Sequence, residues 1–178
     1  VHRLDKDTSG LLVVAKTDRA HEGLARQFAD HSIDRRYLAV VNGLPVPPAG
    51  RIEGALARSS ANRQKMAIVA DGRGKWAATR YRMLQPLTHA AVIECKLETG
   101  RTHQVRVHMA SIGHSLLGDP AYSINAQRHK ALLDSIGFKR QALHARTLGF
   151  KHPVTQVPMD FSSPIPADIQ ELISLLSV

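Results

Sequence analysis

Apolar residues recur along this chain at two spacings, every second position and every third or fourth, and the changes between them divide it into strands and helices. Residues 11–15 are a short apolar run suited to a buried strand. Asp18 is placed to cap a helix through about Ala29, on which Ala20, Leu24 and Phe28 fall four apart while Glu22 and Arg26 make a favourable exposed pair. Residues 37–41 alternate as a strand, and the proline-rich stretch 44–50 then breaks regular pairing. Three more strands are predicted at 51–56, 65–69 and 76–83. In the last, Ala77, Thr79, Tyr81 and Met83 share one face and Arg80 and Arg82 the other. The alternation returns over 91–97, with Ala91, Ile93, Cys95 and Leu97 directed inward and Glu94, Lys96 and Glu98 outward.

Gly100 ends that strand, and Thr102 is placed to cap a helix through about Ile112 with Val105, Met109 and Ile112 on one face. Arg101 thus falls at a strand-to-helix junction. Residues 123–139 read as a polar helical excursion, and Pro166 opens a last helix striped by Ile169, Leu172, Ile173 and Leu176. Short turns between the strands predict antiparallel neighbours rather than a doubly wound parallel sheet. The expected fold is therefore α/β of the α+β type, a mixed, mainly antiparallel sheet with flanking helices. With 178 residues, 43% of them hydrophobic, the chain suffices for one globular domain with a real core.

Charge narrows the partners. Lysine and arginine total 24 against 15 acidic residues, a formal +9, which favours a polyanion. An anionic membrane would suit the same balance, but no apolar run approaches roughly 18 residues and no basic amphipathic anchor stands out, so no membrane partner is expected. The single cysteine, Cys95, excludes an internal disulfide framework and a cysteine-rich zinc site, and a reducing cytoplasm is the expected location. His103 and His108 lie five apart, and His114 adds no ligand spacing, so neither a metal nor a cofactor is expected.

Chemistry concentrates at the start of the chain, in HRLDKDTSG, where Asp5 sits between an arginine and a Gly-terminated turn. An aspartate in this setting can be a nucleophile, a general base, a metal ligand or a cap. Taken alone Asp5 reads as a turn residue, Arg101 as a surface charge and Tyr37 as a half-buried strand aromatic. Their joint appearance reverses that. HRLDKDTSGL, RRYLAVVNG, GKWAAT and LETGRTHQVRVHMASIGH, with LLGDPAY, QALHARTLGFKHPVT and PIPADI, resemble the RluA-type pseudouridine synthases along nearly the whole chain. From Met66 onward the likeness is greatest to the branch acting on large-subunit ribosomal RNA, the synthase D-like branch.

The resemblance implies an isomerase that converts uridine to pseudouridine in structured RNA, with base flipping and an essential aspartate. On that reading Asp5 is the aspartate, attacking base or sugar or promoting a glycal. Arg101 is the cation that pairs with it, and Tyr37 stacks on the base and relays the C5 proton. Arg3 enters the RNA stack where the uridine has left. Lys6, Arg36 and Arg106 are the further RNA contacts. The basic pairs Arg35 and Arg36, Arg63 and Lys65, Arg73 and Lys75, and Lys139 and Arg140 could line an RNA surface or form an ordinary solvated face. Only 4% of residues are aromatic, so shape and phosphate contacts are expected to outweigh stacking.

The expected substrate is 23S-type ribosomal RNA, with transfer RNA as the alternative and a monomer as the working state. The chain reads as one catalytic domain over 1–178 that begins at Val1 with motif residues, so an N-terminal part is expected to be missing, and with it an upstream RNA-binding module. Ser115 and Ser123 stand where the family usually has proline and glycine, which puts loop rigidity and substrate subtype in question. A catalytically inactive module that binds structured RNA is the second reading. A metal-dependent hydrolase is the third, and it lacks ligand spacing.

Overall fold

A computed structural model describes residues 1–177. The elements are β1 (Ser9–Gly10), α1 (Asp18–Ala29), β2 (Asp34–Asn42), β3 (Ala49–Glu53), β4 (Ala55–Arg58), β5 (Met66–Val69), β6 (Ala78–Leu87), β7 (Ala90–Leu97), α2 (Gln104–Ser111), α3 (Lys130–Ser135), β8 (Leu143–Lys151), β9 (Pro158–Ser162) and α4 (Ala167–Leu176). Seven strands form one sheet in the order β1-β8-β2-β7-β6-β3, with β9 also on β8; β4 and β5 pair separately as a hairpin. Only β1 with β8 is parallel; every other pair in the sheet is antiparallel, as the short turns predicted.

The sheet centre is buried on both faces. Tyr37, Ala39 and Val41 of β2 join Ala91, Ile93 and Cys95 of β7 under Val105 and Met109 of α2. On the reverse face Leu38 and Val40 meet Ala90 and Val92 beneath the α4 stripe Ile169, Leu172, Ile173 and Leu176. Each of those four α4 side chains contributes about 1.5–3 kcal/mol by leaving water. Because both faces are covered, residues 37–41 of β2 are buried throughout, in place of the alternation expected there. Glu94, Lys96 and Glu98 are partly exposed, as expected, while Val92 on the same face is covered by α4.

Several expected boundaries move, for local reasons. Residues 11–15 are not a strand: the chain touches β8 only through β1 and the Leu11 amide on Ala145 O, and leaves Leu12 and Val14 exposed. At the crossing, Gly10 has φ +111°, and a Cβ there would lie 2.2 Å from Ala145 O, so only glycine fits. The 51–56 strand divides at Gly54, β3 staying in the main sheet and β4 turning to pair with β5. α1 is capped by Thr17, whose hydroxyl accepts from the Ala20 amide, and Asp18 lies in the first turn, where the helix dipole favours it.

α2 departs furthest. Thr102 does not cap it; His103 precedes it with φ +56° and no side-chain cap. The single apolar face expected is instead burial nearly all round, from Gln104 to Met109, because the helix is enclosed by the sheet and by the β4–β5 hairpin that meets Val107. The enclosed polar groups are paired. Gln104 accepts from Thr99 Oγ1 (2.6 Å) and donates to Ala78 O (2.9 Å), and Thr79 Oγ1 bonds His108 Nδ1 (2.8 Å). The 123–139 excursion is helical only at α3.

Candidate active site

Asp5 opens a tight turn in which the Thr8 amide donates to its carbonyl (3.1 Å) and Asp7 takes φ +69°, the sign a type II turn needs at its third residue. The turn is clamped from outside. Gln141 Nε2 donates to Lys6 O (2.7 Å) and Thr8 Oγ1 (3.0 Å), and Arg140, itself gripped by both Asp168 oxygens, donates to Asp7 O (3.0 Å). The clamp fixes where the Asp5 carboxylate points.

Three distant segments meet there. Asp5 comes from the N-terminal turn, Arg35 and Tyr37 from one face of β2, and Arg101 and His103 from the β7–α2 junction, with Arg3 at the rim. The free space in this cleft is about 40 Å³. Tyr37 is buried, and burial, reinforced by the Asp5 charge, raises its phenol above the usual range despite the opposing pull of Arg35, so the ring stays protonated at neutral pH.

The cation on Asp5 is Arg106, not Arg101. Arg106 forks onto Asp119 (Nε to Oδ2 2.8 Å, Nη2 to Oδ1 2.9 Å) and reaches Asp5 Oδ2 with Nη1 (3.4 Å). Burial pulls its pKa down, but the Asp119 hydrogen bonds and the charges of Asp119 and Asp5 outweigh it and raise the guanidinium. Asp119 is fully buried and also accepts from the amides of Ala121 and Tyr122. The Tyr122 ring lies 5.1 Å from the Arg106 guanidinium, and its hydroxyl joins the Met66 amide to His103 Nδ1 (2.8 and 2.6 Å). Burial and the Arg106 charge lower His103, which therefore stays neutral near pH 7.

Two expectations change accordingly. Arg101 lines the cleft, yet its Nε donates to Trp76 O (2.9 Å) and its amide to Gln104 Oε1 (3.0 Å); it projects from the loop ahead of α2, whereas Arg106 leans back from the helix's first turn toward Asp5. Arg106, expected to contact RNA, is buried and spent on two carboxylates. Arg36 also moves. One residue from Tyr37, it points to the opposite face and pairs with Asp34 and Glu94 (3.3 Å each), away from the cleft. Arg3 stands at the cleft rim and Lys6 on the exposed side of the turn.

The sequence reading missed Asp119 and Tyr122 as site residues, and offered Arg35 only within a basic pair that could line an RNA surface or form a solvated face. Asp119 carried a signal, since an acid inside the apolar stretch LLGDPAY needs a buried cation. Tyr122 carried none. Among the described residues no group of three or more His, Cys, Asp or Glu is placed to hold a metal ion, and no helix is long and apolar enough to cross a membrane.

The profile described as RNA pseudouridylate synthase matches residues 1–111. The chain is 64% identical to ribosomal large subunit pseudouridine synthase D of Zymomonas mobilis over all of its own length and 56% of that protein. It is 46% identical to the protein of the same name from Xanthomonas campestris, over 99% of this chain and 54% of that one. The chain thus spans about half the length of the curated relatives it matches. Among solved structures, human RNA pseudouridylate synthase domain containing 4 superposes with a TM-score of 0.79 over 98% of this chain and 74% of that one; at 24% identity this likeness speaks to the fold.

Proposed function

Because the chain belongs to the RNA pseudouridylate synthase family, we propose that it is the catalytic domain of an isomerase that converts uridine to pseudouridine in large-subunit ribosomal RNA. The substrate is the one named in its relatives from Zymomonas mobilis and Xanthomonas campestris. The reaction breaks the bond from uracil N1 to ribose C1′, turns the freed base, joins C5 to the same C1′ and releases the C5 proton, while N1 takes up a proton, so that the product is an isomer of the substrate. It needs a carboxylate that stays ionised in a closed pocket and a polar ring against the base.

The observation that carries the reading is the convergence of Asp5 and Tyr37 in one small cleft, with Asp5 supported by Arg106. In this reading Arg106 holds Asp5 Oδ2 and leaves the other oxygen for the nucleotide. Protonated Tyr37 lies against uracil and serves the C5 proton transfer. Arg101 closes the cleft over the base and its phosphates, Arg3 takes the stacking position vacated by the extruded uridine, and Lys6 meets phosphate from the turn. A ribosomal RNA substrate carries with it a cytoplasmic location, and one domain acting as a monomer suffices for the chemistry. A module that only holds RNA needs no acid sharing a cleft with a phenol.

Tritium release from C5-labelled uridine in large-subunit RNA tests the reading, using the full-length protein. Asp5→Asn should reduce release to background while leaving the unfolding midpoint near wild type. Release undiminished in that variant would refute the assignment of Asp5, and RNA binding without release from the wild type would favour the binding module.

A further inference from the structure

Arg35 carries a buried charge for which the described residues supply no acid. It is 8% exposed, and among the described residues its Nε has no hydrogen-bond partner. The ionisable groups facing it are the Tyr37 phenol, the Arg101 guanidinium and the His2 imidazole, none of them an anion at neutral pH. Its support is apolar and geometric instead. The guanidinium carbon lies 5.2 Å from the Phe28 ring, whose other neighbour is His2, stacked at 4.6 Å. A Cβ on Gly100 would lie 2.2 Å from Nη1, so the absence of a side chain at position 100 is what admits the group.

The position points to a ligand. Arg3, Arg35 and Arg101 line both the small cleft holding Asp5 and an open groove of about 630 Å³ beside it. A buried unpaired cation is strongly destabilising unless a partner arrives. Asp5 is not that partner, because Arg106 holds it. Uracil is neutral and calls for no cation, whereas the phosphates flanking a nucleotide whose base has entered the cleft must lie in the adjoining groove. A planar guanidinium with free N–H groups matches the oxygens of a phosphodiester.

We propose that Arg35, with Arg101 and Arg3 at its edge, forms an anion subsite that takes a backbone phosphodiester adjoining the captured uridine. The assignment of the ligand to RNA rests on the pseudouridine synthase reading; the anion site itself does not. Arg35 is thus a binding residue whose counterion is the substrate.

The experiment compares the full-length protein with Arg35→Met, which keeps the length of the side chain and removes its charge. In chloride, the thermal midpoint of the variant should equal or exceed that of wild type. Inorganic phosphate at matched ionic strength should raise the wild-type midpoint and leave that of the variant unmoved. Affinity for large-subunit RNA should fall roughly 10- to 100-fold, as for loss of one charge-assisted contact. The slope of log affinity against log salt should shrink by about one, and KM in tritium release should change more than kcat. An unchanged salt slope, or equal stabilisation of both proteins by phosphate, overturns the proposal. Should Arg35→Met fail to fold, Gly100→Ala, which displaces the guanidinium, must lose the same phosphate response and salt slope, and retaining them overturns it equally. A wild type that shows the phosphate response but releases no tritium keeps the anion site and sinks the reaction assigned to it.

Discussion

Arg106 and Arg35 are both buried and both reach the neighbourhood of Asp5, yet they live under opposite electrostatic rules. Arg106 has its fork filled by Asp119 and its remaining nitrogen on Asp5, with Tyr122 across its face. Arg35 has aromatic and glycine neighbours and, among the described residues, no carboxylate partner. A buried cation with a complete set of acceptors is part of the scaffold and holds the Asp5 carboxylate still. A buried cation without them stays available to an incoming anion. The same residue type, brought to the neighbourhood of Asp5 from two different segments, therefore supplies rigidity on one side and an available charge on the other.

The contrast can be broken from either side. Asp119→Ala should have the largest effect, since it strands the buried Arg106 and two amides; a loss of about 3–5 kcal/mol in denaturant unfolding is expected. A loss below about 1 kcal/mol would mean that Arg106 finds another acceptor and that Asp119 is not its anchor. Arg101→Ala should be far milder for the fold, within about 0.5 kcal/mol, because it removes one bond to the Trp76 carbonyl. Its effect should fall on RNA, raising KM more than it lowers kcat in the tritium assay. A collapse of kcat instead would show that Arg101 swings onto Asp5 when substrate binds.

The smallest expected effect is in the acid limb of stability. Burial, and then the nearby charge of Arg35, depress His2 from 6.5 to about 4. The folded state thus resists a proton that the unfolded chain accepts, so this contribution is complete above pH 6.5 and is lost as pH falls from there toward 4. His2→Gln should flatten the fall in urea midpoint across that window relative to wild type. In Arg35→Met the His2 ring should titrate at higher pH, followed by NMR, though burial keeps it below 6.5. An unmoved His2 titration would show that the charge of Arg35 is not felt there.

Much of the scaffold was legible because its determinants are local. The period-2 pattern of β6, the α4 stripe at Ile169, Leu172, Ile173 and Leu176, and the proline-rich break after β2 each follow from neighbours in the chain. Failures arose where a distant segment overruled a local preference. Residues 11–15 have the composition of a strand, but no strand pairs with them beyond the Leu11 amide on Ala145, and the Val13 amide donates to the His2 ring instead; α2 is buried nearly all round by elements that its own periodicity does not mention.

At the site the division is the same. The family resemblance carried by the motifs pointed to the acid at Asp5, the phenol at Tyr37 and the arginines around them, and composition to a net charge suited to RNA. Which arginine serves the acid and which one awaits an anion was decided only by tertiary structure. Arg106 and Arg101 are five residues apart on one helix entry, and Arg35 is two from Tyr37, so the chain offers each as a candidate. Pairing depends on distance and desolvation between segments some hundred residues apart, such as Asp5 and Arg106, and these exist only once the sheet has closed.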